Sequence, residues 1–459
     1  MSLSTELQLA HFAVQNQLES VAPSAIAVIK HVLMAVVGTG IAGAREEGID
    51  VLRALLKERG GAPEASSLVF GDALPATSAA MLNAAMCRAL DYCDAMAPGP
   101  HFGSAIVPAA FAAAEARAAK TGSPCTGLEM LEALVVGAEL GARFNLSERM
   151  YDGFDPTGIA AVFAATASAG RIFRLSESHM VHALALAFNR CGGSFQSHVD
   201  GSLAVRLVQG FVAETGVWCA QMAACGLTGP KNFIDGHYGY RHLYAKGLRD
   251  SASFVSGLGE RWLLETIVFK KYPSCGVTQG VTQQTLDIIQ ELGLQADQFE
   301  SAVVRLPPYA CKLVGSPFEF GDNSRVNAQF SAQYCVANAI FRGASGLEFF
   351  RPEAIAEAAL KPLIAKVRVE PDPAMDMRGH SAVDLEIRTK DGRVASRSYD
   401  VSPGFPGRGL SPAEHQSRFA DCMAYANQPR LTAQAPAILA SIAGFENHPD
   451  ALAFWKTLH

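Results

Sequence analysis

The stretch of the chain best equipped for chemistry is Asp91-Tyr92-Cys93-Asp94, followed by a Pro- and Gly-containing loop over residues 95–100 and then His101-Phe102-Gly103-Ser104. The pattern predicts a helix over 77–94 whose last turn carries two carboxylates, an arrangement the helix dipole disfavours. If the following loop folds back, His101 comes within reach of Asp91 or Asp94. A carboxylate beside an imidazole orients the ring and raises its basicity, which is how a general acid or base is made. The same residues also fit a plainer arrangement, with Asp94 in solvent and His101 bonded to a loop carbonyl. The residues alone leave both open.

Other candidates lie further along. Lys270 precedes Tyr272-Pro273 where the texture of the chain changes, and junctions of that kind form pockets. Arg206 suits bidentate carboxylate binding or a helix-surface ion pair. His198 sits near Asp200 in a Gly-containing loop and is a pocket candidate. Cys275 reads as a packed thiol before a nucleophile. His179 and His182, three apart on a predicted helix, have no third ligand nearby, so no metal site is expected.

The elements that must position these groups fall into three segments. Residues 1–268 read as successive Ala-rich helices, with helix starts marked by Thr126 with Glu129 and by Ser176. Residues 269–404 contain strand-like runs at 301–307, 364–370, 381–389 and 393–401, the last two joined by a Lys390-Asp391-Gly392 turn, with helical patterns at 277–292 and 326–342. Residues 405–459 return to helix at Ser411-Pro412 with Glu414. The expected class is mainly α: a large helical domain built from both termini, with an inserted α+β domain. Gly38-Thr39-Gly40-Ile41-Ala42-Gly43 matches G-x-G-x-x-G, but it lacks a preceding strand and is better explained by close helix packing.

Composition narrows the function. The 459 residues carry a formal net charge of −6 and only 18% charged residues. That excludes a disordered chain and gives no support to nucleic-acid capture. The first ten residues lack a signal-peptide pattern, and the longest apolar stretch, 32–44, is too short for a membrane span, so a cytoplasmic protein off the membrane is expected. Ten cysteines without C-x-x-C spacing are expected to be reduced thiols. Low charge and high Ala and Gly content point to a homodimer with an apolar interface.

The run from Asp91 to Asp94, followed by His101 and Gly103-Ser104-Ala105-Ile106-Val107-Pro108, resembles the MmgE/PrpD family. So do Gly137-Ala138-Glu139-Leu140, Gly153-Phe154-Asp155-Pro156-Thr157-Gly158, Asp200-Gly201-Ser202 with Arg206, Leu227-Thr228-Gly229-Pro230, Lys270-Lys271-Tyr272-Pro273-Ser274-Cys275, and Asn327-Ala328-Gln329-Phe330-Ser331. The resemblance spans roughly residues 30–425, and ordered motifs are far more specific than a lone one. It implies a helical domain with an α+β lid, an active site between them, and no cofactor or metal. It further implies a small polycarboxylate substrate from which a base removes a proton next to a carboxylate. A hydro-lyase of the 2-methylcitrate dehydratase type is the leading expectation. Epimerisation of the iminodisuccinate type, decarboxylation, and a non-catalytic binding relative are the alternatives. Asp91, His101 and Lys270 would be catalytic; Arg206, Asp155, His198, Lys271 and Cys275 would bind substrate.

Several positions depart from the family pattern. Asp155 stands where many members carry His, Val205 where many have Lys, Ala95 in place of Thr or Ser, Arg88 in place of His, and Cys275 where the decarboxylases look to have His. An anionic Asp155 should repel a tricarboxylate unless a cation pairs with it or the substrate carries an amine.

Overall fold

The computed structural model describes residues 3–151 and 153–459. The chain is mainly helical. Its long helices include Pro23–Gly43, Ala76–Arg88, Gly103–Thr121, Gly127–Phe144, Pro156–Ile172 and Ala204–Ala224. Small residues let them pack closely: a Cβ on Gly43 would sit 2.1 Å from the Met86 carbonyl oxygen. The Gly38-to-Gly43 run therefore belongs to a helix–helix contact within Pro23–Gly43. That helix is long and apolar enough to cross a membrane, but its Ala25, Ile29, Val32, Leu33 and Val36 are buried in the core. All ten cysteines are free thiols.

Local start signals act where the sequence places them. Thr126 with Glu129 and Ser411 with Glu414 form reciprocal capping boxes, and the Ser176 hydroxyl accepts from the His179 amide. Two expected helices are shorter than their pattern. The 77–94 helix ends at Arg88. The chain leaves it through Asp91 at a φ of 49°, in the left-handed region that ends helices. The 326–342 helix is split into Ser324–Gln329 and Ala332–Arg342, because the Ser331 hydroxyl accepts from the Tyr334 amide and starts a new helix.

Two large apolar clusters result. One joins the N-terminal helices to Phe419, Cys422, Leu431, Ile442 and Trp455 near the C-terminus. Helix Pro412–Ala426 lies on Pro23–Gly43, where a Cβ on Gly38 would come 3.1 Å from the Phe419 ring. The other cluster runs from Cys275 to Ile387. It covers a four-stranded sheet ordered Val367–Pro371, Phe299–Leu306, Val383–Thr389, Val394–Tyr399, with the first pair parallel and the others antiparallel. Helices Gln279–Leu292 and Ala332–Arg342 pack on it. The two crossings between clusters meet, for the Phe269 amide donates to the Gly404 carbonyl at 3.0 Å.

A buried ion pair sits inside the first cluster. Arg143 Nε donates to Glu139 Oε1 at 2.8 Å, and its remaining nitrogens donate to the carbonyls of Phe254, Ser256, Gly257 and Arg261. Removing one partner strands the other, so Glu139→Leu is expected to cost about 3–5 kcal/mol. Denaturant unfolding checks this, and an unchanged midpoint would contradict it.

Candidate active site

A two-strand pairing builds the site. Asp94–Met96 runs antiparallel to Ile267–Phe269, with Asp94 opposite Phe269 and Ala95 opposite Val268. This places the residue after the second strand, Lys270, beside the end of the Asp91–Asp94 segment. Lys270 Nζ donates to Asp91 Oδ1 at 2.5 Å, and Arg88 pairs with the same oxygen. All three side chains are buried. Burial pushes the Asp91 carboxyl up, but Arg88 and then Lys270 outweigh it and hold the group below its ordinary value.

His101 is held by two hydrogen bonds. Its Nδ1–H donates to the Asp94 carbonyl at 2.6 Å, and its amide donates to Thr157 Oγ1 at 3.2 Å. The Thr157 amide in turn donates to Asp155 Oδ1 at 2.8 Å, where Asp155 caps helix Pro156–Ile172. The bond to the carbonyl fixes the tautomer and leaves Nε2 as the free acceptor. Burial, then Arg88 and Lys270, keep the imidazole well below its usual basicity and so neutral. His101 therefore meets the backbone of Asp94. Among the described residues, no hydrogen bond joins it to the Asp91 or Asp94 carboxylates. The Asp94 carboxylate instead accepts from the Gly103 amide at 2.8 Å. That amide opens helix Gly103–Thr121, the helix end that favours a negative charge. Burial raises the Asp94 pKa.

His101, Lys270, Arg88, Asp155, His198 and Cys275 share one cavity of about 60 Å³. That is room for a few water molecules. Asp91 stands behind it and anchors two of its cations. Gln329 ties the second cluster to this wall: its side-chain amide donates to the Leu90 carbonyl at 2.7 Å, and its backbone carbonyl accepts from the Cys275 amide at 2.9 Å. Burial raises the Cys275 thiol to about 11, so it is protonated and apolar in character. Burial raises Asp155 as well, against the Thr157 amide and Arg88.

Arg206 and Lys271 do not reach the cavity. On helix Ala204–Ala224 the cavity face is set by Val205 and Gln209, four apart and so on one side of the helix. Arg206, one step round, donates to the Glu47 carbonyl at 2.5 Å. Lys271 opens the bend over residues 271–274 and pairs with Glu414 at 3.1 Å, away from the cavity lining. Gln209, Phe195 and His380 also line the cavity, although nothing in the sequence singles them out; Phe330 stands out there only within the 327–331 motif, and Arg88 only as a departure from the family pattern. The one usable signal is the three-residue spacing of Arg88 and Asp91, which suits an ion pair at a helix end.

His198 lies edge-on to Phe195 and Phe330, with ring centroids 4.9 and 4.8 Å away. Burial and then Arg88 lower its pKa to about 3. Below about pH 6.5 an unfolded chain therefore takes up a proton here that the folded chain refuses, and stability falls with pH. Against wild type, His198→Phe is expected to gain about 1 kcal/mol of relative stability per pH unit between pH 6 and 4. Paired urea titrations measure this; a pH-independent difference would contradict it.

Two family models match the chain. Residues 7–251 match the MmgE/PrpD N-terminal domain, and residues 272–437 match the MmgE/PrpD C-terminal domain. The chain belongs to the MmgE/PrpD family. Among its relatives is cis-aconitate decarboxylase of Homo sapiens, 26% identical over 375 residues, covering 77% of this chain and 74% of the relative. Cis-aconitate decarboxylase of Aspergillus terreus is 28% identical over 222 residues, covering 46% of this chain and 45% of the relative.

Proposed function

We propose that the chain is a cofactor-independent lyase that moves a proton at the carbon next to a carboxylate of a small acid. The observation that carries this is the neutral, tautomer-fixed His101 in one cavity with Lys270 and Arg88. His101 Nε2 is the base. Lys270 spends one N–H on Asp91 and keeps the others for the substrate carboxylate, where negative charge builds as the proton leaves. A bound carboxylate offsets the positive field of Arg88 and Lys270, which raises the basicity of His101 once substrate is in place. The kinship with cis-aconitate decarboxylases supports a lyase-type reaction on a small acid. Dehydration of a hydroxy acid and loss of carbon dioxide both begin or end at this carbon, and epimerisation shares the proton-abstraction step. The test is a panel of citrate, methylcitrate, aconitate, tartrate and iminodisuccinate analogues together with the monoacid 3-hydroxy-3-methylbutanoate, followed near 240 nm for a conjugated alkene and by NMR for exchange. Turnover of at least one acid is expected; inertness toward all of them, with no exchange, would sink the proposal.

In this reading residues 269–404 form a lid over the helical core made by 1–268 and 405–459. The separate apolar clusters and the paired crossings at Phe269 and Gly404 support that division. The protein acts as a homodimer. Phe211 and Trp218, seven apart on one helix face and each about half exposed, favour an apolar interface there. Sedimentation at micromolar concentration is expected to give twice the chain mass, and Trp218→Glu to shift it toward one; a wild-type monomer would contradict the dimer.

A further inference from the structure

From the charge balance of the cavity we infer that it takes an acid with one ionised carboxylate and otherwise uncharged, largely apolar substituents. This rests on the lyase reading for its chemistry but not for its binding test. Two cations line the cavity outright, Arg88 and Lys270, and both already share Asp91 Oδ1. Asp155 adds a second carboxyl to the wall. His380 reaches the cavity with its Nδ1 engaged by Glu148. His101 and His198, both buried among these cations, are held in their neutral forms. Among the described residues, the Arg, Lys, Asp and Glu side chains that line the cavity itself are Arg88, Lys270 and Asp155, whose formal charges sum to +1, so one incoming carboxylate is balanced, while a second or third would be buried without a partner.

Beyond these charged groups, His101, His198 and the polar Gln209 and Thr157, much of the wall matches an apolar substituent. Phe195, Phe330, Phe405, Val205, Val268 and Leu313 line it, and their side chains offer no hydrogen-bond donor. Val205 matters most, because it occupies the cavity face of helix Ala204–Ala224 where a cation would most easily serve another carboxylate, and it is 4% exposed.

Calorimetric titration of the wild-type protein with 3-hydroxy-3-methylbutanoate, 3-hydroxy-3-methylglutarate and citrate tests this on one skeleton carrying one, two and three carboxylates. Affinity is expected to fall at least tenfold with each added carboxylate. Val205→Lys, its fold checked by circular dichroism, is expected to shrink that ladder by improving the diacid relative to the monoacid. Citrate or the diacid binding as tightly as the monoacid, or no binding of the monoacid at millimolar concentration, overturns the inference. The wild-type ladder decides alone if Val205→Lys does not fold. A ladder in the expected order without turnover of any acid upholds this inference and removes the lyase reading. Turnover of citrate with the order reversed does the opposite.

Discussion

His101→Ala is expected to lower turnover by roughly 10²–10⁴, the usual loss when a general acid or base is removed. The fold should persist, because the ring's hydrogen bond goes to a carbonyl of an already paired strand and not to a buried charge. The group is depressed by burial, then by Arg88 and Lys270, so it keeps its lone pair as pH falls through the range where an ordinary histidine protonates. In the free enzyme the acid limb of kcat/KM attributable to His101 should therefore lie below that range. Steady-state profiles of wild type and variant with the best acid of the panel check both statements. Full activity in His101→Ala would remove the base assignment.

Lys270→Ala should act on stability and binding together. Lys270 and Arg88 jointly hold Asp91, which is 1% exposed. Removing one cation from a buried pair costs about 3 kcal/mol here, the low end of the usual range because Arg88 remains. Loss of a charged hydrogen bond to the substrate carboxylate removes a further ~1.5–3 kcal/mol from its binding, roughly ten- to hundredfold in KM or more. Lys270→Arg should recover much of the stability and little of the turnover, since a planar guanidinium does not place its donors as an ammonium does. Thermal unfolding alongside kcat and KM separates the two effects. A Lys270→Ala protein with wild-type KM would show that the ammonium serves Asp91 alone.

Much of this was legible in the chain because it is local. A capping box at Ser411-Pro412-Glu414 needs four residues and no partner, and the strand Val383–Thr389 announces itself by β-branched alternation before a Lys-Asp-Gly turn. The site depended on features too short or too distant to read. Strands Asp94–Met96 and Ile267–Phe269 are three residues each. That is below the length at which alternation is visible, yet their pairing brings Lys270 to Asp91. Asp91 turns out of its helix at positive φ without the Gly or Pro that normally signals a stop, so the expected helix overran its true end at Arg88. Helix phase was the other blind spot. Choosing Val205 over Arg206 for the cavity requires knowing which face of Ala204–Ala224 packs, and a rotation of about a hundred degrees per residue decides it. The outcome for His101 matched neither open reading in full: its ring bonds the strand carbonyl of Asp94 and not a carboxylate, Asp94 is buried and not in solvent, and that bond leaves Nε2 free for chemistry.

The central claim is that His101 transfers a proton at the carbon beside a carboxylate. Turnover of the best acid in D₂O, read by proton NMR of substrate and product at that carbon, tests it most directly. The expected result is solvent deuterium at that position, or loss of its proton, at a rate that falls at least a hundredfold in a folded His101→Ala protein. Conversion without any proton traffic at that carbon, or traffic that continues unchanged without His101, would contradict it.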